Sequence, residues 1–341
     1  MSTHHGTRSD GRAVGIASIG SYVPPNVITN AELAGPAGVT EDWIVRKTGI
    51  HTRRRAGAEQ ATSDLAAEAA RQALAKAGLR AADLSLVIVG TTTPDVLGPA
   101  VACQVADQLG CDTNTAAFDV HAACSGFLTG LATAEKFLLG SSGGTPGHAL
   151  VIGADAYTRF LDPADRRTVV LWGDGAGAVV LGPAAEGRPR ILATKLLSDG
   201  SIAGLATIPA GGSRRPATHE TVDGRAHYVH MDGRSVSAAL QEAVPGMLDD
   251  FLKENGVEKS EIAHVVMHQG NANLVAHLTG MLGLEQARAH LTAPVYGNTG
   301  SASIPVTLDQ AVREDAVRPG DLVLMIAFGA GLTYAFTLLR W

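Results

Sequence analysis

Apolar residues fall into two patterns along the chain: short unbroken runs, and longer stretches spaced three and four apart. The first pattern predicts strands and the second predicts helices. Strands are expected over residues 14–19, 84–90, 116–120, 149–153 and 176–181. Helices are expected over 40–45, 64–77, 100–109 and 126–139; Leu65, Ala69, Ala70 and Leu74 mark one face of the second, and Gly78 stops it. Further on, helices are expected over 236–252, 271–282 and 304–312, with strands over 262–267, 322–327 and 333–339. The run over 84–90 has no polar alternation, the mark of a strand covered on both faces. Residues 201–230, rich in Gly, Pro, Arg and His, match no element pattern.

The order of elements is written twice. Asp83-Leu-Ser-Leu-Val-Ile-Val-Gly-Thr leads to a helix ending Gln108-Leu109-Gly110. Glu261-Ile-Ala-His-Val-Val-Met-His-Gln leads to a helix ending Met281-Leu282-Gly283. A duplicated βαβ unit accounts for this: an α/β protein with a tail over residues 1–12, one half over 13–185, a second over 186–341, and the halves packed in five αβαβα layers. Such a fold places a site at the carboxyl ends of strands near the junction of the halves.

Composition narrows the function. Forty Gly with few aromatic residues suit close packing of helices on sheets. Lys and Arg number 27 against 33 Asp and Glu, a formal charge of −6 that argues against wholesale nucleic-acid binding. Three cysteines, Cys103, Cys111 and Cys124, form neither a disulfide framework nor a paired metal motif, as expected in a reducing compartment. No signal peptide and no membrane span are expected, so the sequence is read as a soluble cytoplasmic protein. His4-His5 lie in the polar tail and are not read as metal ligands; Cys103 and Cys111 are read as small buried apolar residues on helix faces.

Three residues stand where predicted strands turn into helices. Cys124 follows the strand 116–120 and precedes the helix opening near Phe127; His268 ends the strand 262–267; Asn298 lies in Gly297-Asn-Thr-Gly300. Singly, each has a structural reading: a buried thiol, a strand-end histidine, a turn asparagine. Jointly, the repeated plan brings all three to one place. A helix N-terminus favours a thiolate by about 0.3–1 kcal/mol, less than about one pKa unit, so Cys124 needs a further partner to act as a nucleophile.

The motifs around these residues resemble the β-ketoacyl-ACP synthase III branch of the thiolase superfamily. They are His121-Ala-Ala-Cys-Ser-Gly-Phe, His268-Gln-Gly-Asn, Gly297-Asn-Thr-Gly-Ser-Ala-Ser-Ile-Pro and Phe328-Gly-Ala-Gly-Leu-Thr, with Gly20-Ser-Tyr-Val-Pro, Asp42-Trp-Ile-Val and Trp172-Gly-Asp-Gly-Ala-Gly-Ala elsewhere. The resemblance implies a two-step reaction without a cofactor or metal. Cys124, aided by His268, takes an acyl group from an acyl-CoA or acyl carrier protein, and the backbone N–H groups of Cys124 and Ala330 form the oxyanion hole. His268 and Asn298 then hold the carbonyl of a malonyl thioester, whose decarboxylation yields the attacking enolate. It further implies that Trp43 and Arg166 sandwich the CoA adenine and that Asn271 lies on the CoA and pantetheine path. Leu97 would reach across a homodimer interface to close the partner's acyl pocket.

Gly173-Asp-Gly-Ala-Gly-Ala precedes a strand and opens no helix, so it is read as close backbone packing and not as a dinucleotide fingerprint. His51-Thr-Arg-Arg-Arg55 suits either a solvated face or a contact with an acidic carrier or a CoA phosphate. Against the family pattern, Lys47 stands where Arg is common, Asn273 replaces an Arg that helps hold the malonyl donor, and Ser237 replaces a bulky aromatic. These departures touch the substrate side alone. They leave open a second function: transfer of the acyl group from Cys124 to a hydroxyl, amine or thiol without decarboxylation.

Overall fold

The computed structural model describes residues 13–140 and 147–341. The expected tail over 1–12 lies outside them. The first repeat runs β1 (Val14–Tyr22), α1 (Glu41–Thr48), α2 (Thr62–Ala77), β2 (Leu84–Gly90), α3 (Val101–Leu109), β3 (Ala116–Val120), α4 (Gly126–Gly140), β4 (His148–Ala156) and β5 (Asp174–Pro183). The second runs β6 (Arg190–Ser198), α5 (Gly233–Glu254), β7 (His264–Met267), α6 (Ala272–Met281), β8 (Arg288–Ala289), α7 (Ser303–Arg313), β9 (Leu322–Gly329) and β10 (Thr333–Arg340).

The repeats share one strand order, β3-β2-β4-β5-β1 and β8-β7-β9-β10-β6, and the two sheets join edge to edge where Gly15 pairs with Arg190. In each, the first three strands are parallel and the last two antiparallel.

The layers explain the unbroken apolar strands. Leu86 and Ile88 of β2 face a central core with Phe127, Leu128 and Leu131 of α4 and Ile304 and Leu308 of α7. Val87 and Val89, one residue out of phase, face the outer helices α2 and α3. In the second repeat α5 and α6 cover β9 and β10 through Leu240, Leu248, Phe251 and Leu278. Two outer helical layers, two sheets and the central α4/α7 layer give the five-layered thiolase-like architecture.

Three parts went unread in the sequence. Strand β6 is only partly buried, and its mixture of Arg, Thr and Lys with Ile and Leu hides the period; backbone pairing with β10 from Arg190 to Ser198 makes it a strand. A small two-stranded antiparallel ribbon, Asn26–Thr29 with Thr52–Arg55, underlies the basic run at 51–55. Within 201–230, Thr218 caps the short helix His219–Asp223, and Ala206–Thr207 pairs with His230–Met231.

Candidate active site

Cys124 sits on a strained turn. Strand β3 ends at Val120, Ala123 takes φ 46°, and a single turn over Ala123–Ser125 feeds α4. A left-handed alanine is costly and is held here by its surroundings. Cys124 itself is only 6% exposed. Burial pushes its thiol pKa far up, and the nearby Asp155 carboxylate adds to the shift. The modest pull of the helix terminus is therefore overwhelmed, and the resting thiol is neutral. The end of β9 presses on the same turn: a Cβ on Gly329 would stand 2.7 Å from the Cys124 nitrogen. Ala330, half-buried, is the next residue.

His268 closes β7, its N–H bonded to the Ile326 carbonyl. Its Nδ1 lies 2.8 Å from the Ser303 hydroxyl at the start of α7, and that same oxygen receives the Gln269 N–H at 3.4 Å. That contact takes up Nδ1 and leaves Nε2 without a hydrogen-bond partner among the described residues. Burial drives the imidazole pKa down to about 3, so the ring is neutral. Its edge meets Phe328 at 5.2 Å between centroids, one residue from the glycine packed on Cys124.

Asn298 is pinned through its backbone to Leu171 and Gly173. Its Oδ1 accepts the Gly300 N–H at 2.9 Å, which turns the Nδ2 amide outward as a donor. Gly300 adopts φ +59°, and a Cβ there would meet an Asp155 carboxylate oxygen at 2.3 Å and the Tyr157 ring at 2.6 Å. Only glycine permits this approach. Shared neighbours thus bring the three predicted residues to one locus: Phe328-Gly329 joins His268 to Cys124, and the Gly300 turn joins Asn298 to the Tyr157 ring in the apolar cluster holding Cys124.

A polar network behind Cys124 was not anticipated. Asp155, near the end of β4, is fully buried; its Oδ1 accepts from Thr91, Thr92 and Thr93, and its Oδ2 from the Ser301 N–H. Tyr157 stacks on Trp172 at 3.9 Å between centroids. Its hydroxyl lies 2.5 Å from Thr92 Oγ1, and its ring lies in the same apolar cluster as Cys124. The signal available in the sequence was an aspartate inside a run of buried residues and three consecutive threonines after β2.

The peripheral positions divide. The Arg166 guanidinium lies 5.8 Å from the Trp43 ring centroid, so an adenine between them requires the pair to part. Asn271 caps α6 through Oδ1, accepting from the Leu274 N–H at 2.8 Å. Asn273 donates to the Arg46 carbonyl, tying α6 to α1, and Ser237 accepts from Gln241 on α5. Leu97 is 92% exposed, away from the Cys124 cluster of its own chain.

The basic run is partly structural. Arg53 is buried, with hydrogen bonds to Asn30 Oδ1 and the Val170 carbonyl, and desolvation brings its pKa down to about 10. His51 and Arg55 remain on the surface. Cys103 is exposed and Cys111 half-buried, so neither is the core residue expected. At Gly173 a Cβ would fall 2.3 Å from the Tyr296 carbonyl, in line with close packing as the reason for the glycine-rich motif. Among the described residues no helix is long and apolar enough to cross a membrane.

Comparison with known proteins gives this geometry a family. Residues 118–200 match the model for 3-oxoacyl-[acyl-carrier-protein] synthase III, and residues 252–341 match that for its C-terminal part. The chain is 47% identical to the acetoacetyl CoA synthase NphT7 of Streptomyces sp. (strain CL190), over 96% of this chain and 98% of that one. It is 40% identical to the β-ketoacyl-[acyl-carrier-protein] synthase III of Caldanaerobacter subterraneus subsp. tengcongensis, over the same shares. The crystal structure of 3-oxoacyl-[acyl-carrier-protein] synthase III from Aquifex aeolicus superposes with a TM-score of 0.86 at 35% identity, covering 96% of this chain and all of that one. The buried cysteine, the neutral histidine and the turn asparagine lie in a duplicated α/β fold that these proteins share, and the chain belongs to the 3-oxoacyl-[acyl-carrier-protein] synthase III family.

Proposed function

We propose that the protein joins an acyl group carried on Cys124 to a malonyl thioester with loss of carbon dioxide. In the first step the Cys124 sulfur attacks an acyl-CoA or acyl-carrier thioester, and the backbone N–H groups of Cys124 and Ala330 receive the developing oxyanion. In the second, the malonyl thioester carbonyl sits against His268 Nε2–H and Asn298 Nδ2–H. Loss of carbon dioxide leaves an enolate on that oxygen, which the two donors hold until its carbon attacks the acyl-cysteine.

The pairing of two neutral donors is the observation that carries this reading. His268 is held neutral by burial and bonded through Nδ1 to Ser303, which leaves Nε2 for the substrate; Asn298 Oδ1 is taken up by Gly300, which leaves its amide as the donor. In this reading Ser303 donates to Nδ1 and Nε2 carries the proton, so the ring is a donor where a site built only to pass the acyl group to an alcohol or amine would need a base. The relatives' names support both halves of the reaction: one is an acetoacetyl CoA synthase and the other a carrier-protein synthase. For an acyl-CoA starter, Arg166 and Trp43 would part to take its adenine. Exposed Leu97 fits a place in the partner's acyl pocket of a homodimer.

The test is carbon dioxide release from malonyl-CoA and, separately, from malonyl carrier protein, each in the presence of acyl-CoA. Release with formation of the 3-oxoacyl product supports condensation, and the faster of the two substrates identifies the carrier. Acyl transfer to an alcohol or amine acceptor with no carbon dioxide release would overturn the reading.

A further inference from the structure

The condensation asks two donors on separate segments to meet at one oxygen. His268 follows β7, whereas Asn298 lies beyond β8 in the turn before α7. Both act on the developing charge only if they stand about 2.7–3.1 Å from it, and a misplacement of about 1 Å costs roughly 10²-fold. Whatever fixes the spacing of the two segments therefore takes part in the reaction.

Gln269, the neighbour of His268, is fully buried and uses both ends of its amide twice. Its Nε2 donates to the Met267 carbonyl at 2.8 Å and to the His290 carbonyl at 3.1 Å. Its Oε1 accepts the Thr292 N–H at 2.9 Å and the Ala293 N–H at 3.1 Å. Two carbonyls at one end and two N–H groups at the other set the orientation of the amide. Thr292 and Ala293 open the helical turn Ala293–Tyr296, which closes back on them: the Tyr296 N–H bonds the Thr292 carbonyl and the Gly297 N–H the Ala293 carbonyl. Asn298 is the next residue. A second route of hydroxyls joins the same two segments. Thr292 Oγ1 lies 2.7 Å from Thr307 Oγ1, Thr307 donates to the Ser303 carbonyl, and Ser303 Oγ lies 2.8 Å from His268 Nδ1.

We propose that Gln269 is a positioning residue for decarboxylation: its buried amide sets the distance between His268 and Asn298, so that both donors reach one enolate oxygen. This rests on the reading of those two residues as the donors of the condensation. Few other side chains suit the place. An apolar one leaves two carbonyls and two N–H groups unpaired. A carboxylate satisfies the two N–H groups but sets its other oxygen against the carbonyls of Met267 and His290, and only when protonated can it donate to one of them. Burial among such acceptors raises the pKa of a carboxyl. The nearest imidazoles, His268 at about 3 and His290 at about 4, stay neutral between pH 6 and pH 8, so a change across that window comes from the introduced carboxyl.

The test is steady-state decarboxylation of malonyl-CoA from pH 6 to pH 8 by wild type, Gln269→Glu, Gln269→Asn, Asn298→Ala and the two double variants. At pH 8 Gln269→Glu should lower kcat roughly 10²-fold and leave KM within about 2-fold. Its rate relative to wild type should rise as pH falls to 6 and the carboxyl gains its proton. Gln269→Asn keeps the amide but is one methylene too short to hold both segments; it should lower kcat roughly 10-fold with no pH dependence relative to wild type, and it carries the test if the Glu variant does not fold. In the Asn298→Ala background each loss should shrink several-fold, because a single donor has no partner to be aligned with. Fully additive losses in the double variants would mark a general loosening of the fold and overturn the positioning role. So would wild-type kcat in both Gln269 variants, or a pH-independent ratio for a folded Gln269→Glu. Should wild type release no carbon dioxide from malonyl-CoA, the condensation reading itself fails, a different outcome from failure of the positioning role.

Discussion

The two repeats use one strand order and opposite chemistry. At the ends of β2, β3 and β4 the first repeat gathers ionisable groups: Cys124, Tyr157 and Asp155, the last two linked through Thr92. At the end of β7 and in the turn before α7 the second repeat offers neutral donors, His268 on Ser303 and Asn298 on Gly300. Duplication supplies two equivalent rows of strand-to-helix turns, and the proposed mechanism gives each row one half-reaction. One side would hold the acyl group, while the other would stabilise an oxyanion. Among the described residues neither His268 nor Asn298 hydrogen-bonds a carboxylate, although the Asp155 carboxylate accepts the Ser301 N–H three residues past Asn298.

This division is most sharply tested by damaging the second row alone. Asn298→Ala removes one of two donors that act on developing charge and should cut malonyl decarboxylation by roughly 10²- to 10³-fold. Cys124 acylation, followed by intact mass, should stay near wild type in the same variant. Equal loss of both steps would mean that the rows do not divide the reaction.

The protonation states make a separate comparison in stability. His268 titrates at about 3 when folded, against an ordinary 6.5. Between those values the unfolded chain binds a proton that the folded one refuses, so the contribution of this histidine is complete above pH 6.5 and is lost as pH falls toward 3. Asp155, raised to about 6, acts in the reverse sense: the folded carboxyl keeps its proton while the unfolded one ionises, so its contribution is complete below about pH 4 and is lost as pH rises through 6. Denaturant midpoints of His268→Gln should consequently fall less steeply from pH 6.5 to pH 4 than those of wild type. A steeper fall would contradict a neutral buried imidazole.

Smaller effects sharpen the picture. Ser303→Ala frees Nδ1 and lets the imidazole proton wander between nitrogens. Loss of a hydrogen bond worth about 0.5–1.5 kcal/mol should slow decarboxylation roughly 2- to 10-fold, with less effect on acylation. Arg166→Ala removes one face of the exposed adenine stack, worth about 0.5–1 kcal/mol, and should raise KM for acyl-CoA roughly 2- to 5-fold at constant kcat. A change in kcat would place Arg166 nearer the chemistry than its contact with Trp43 does.

Much of this was legible in the residues because strands buried on both faces announce themselves. Residues 84–90 and 262–267 read as strands from apolar content alone, and the turns after them pointed to His268, Cys124 and Asn298 as one set. Strand β6 escaped because pairing with β10, and not burial, defines it. Arg53 read as surface charge because nothing in a basic run reveals that Asn30 and Val170 will meet one guanidinium indoors. Asp155 and Tyr157 were passed over for a related reason. They follow Gly153, where the predicted strand ended, and polar residues beyond a strand end look like loop. Their link runs through Thr92, 63 residues earlier than Asp155, and such long-range pairing leaves no local periodicity.

The most direct test of the central claim, that Cys124 carries the acyl group, is the intact mass of wild type and of Cys124→Ala after incubation with acetyl-CoA and no malonyl substrate. The account predicts one acetyl increment on wild type, mapped by peptide analysis to Cys124, and none on the variant. An increment of equal occupancy on Cys124→Ala, or its location on exposed Cys103, would contradict it.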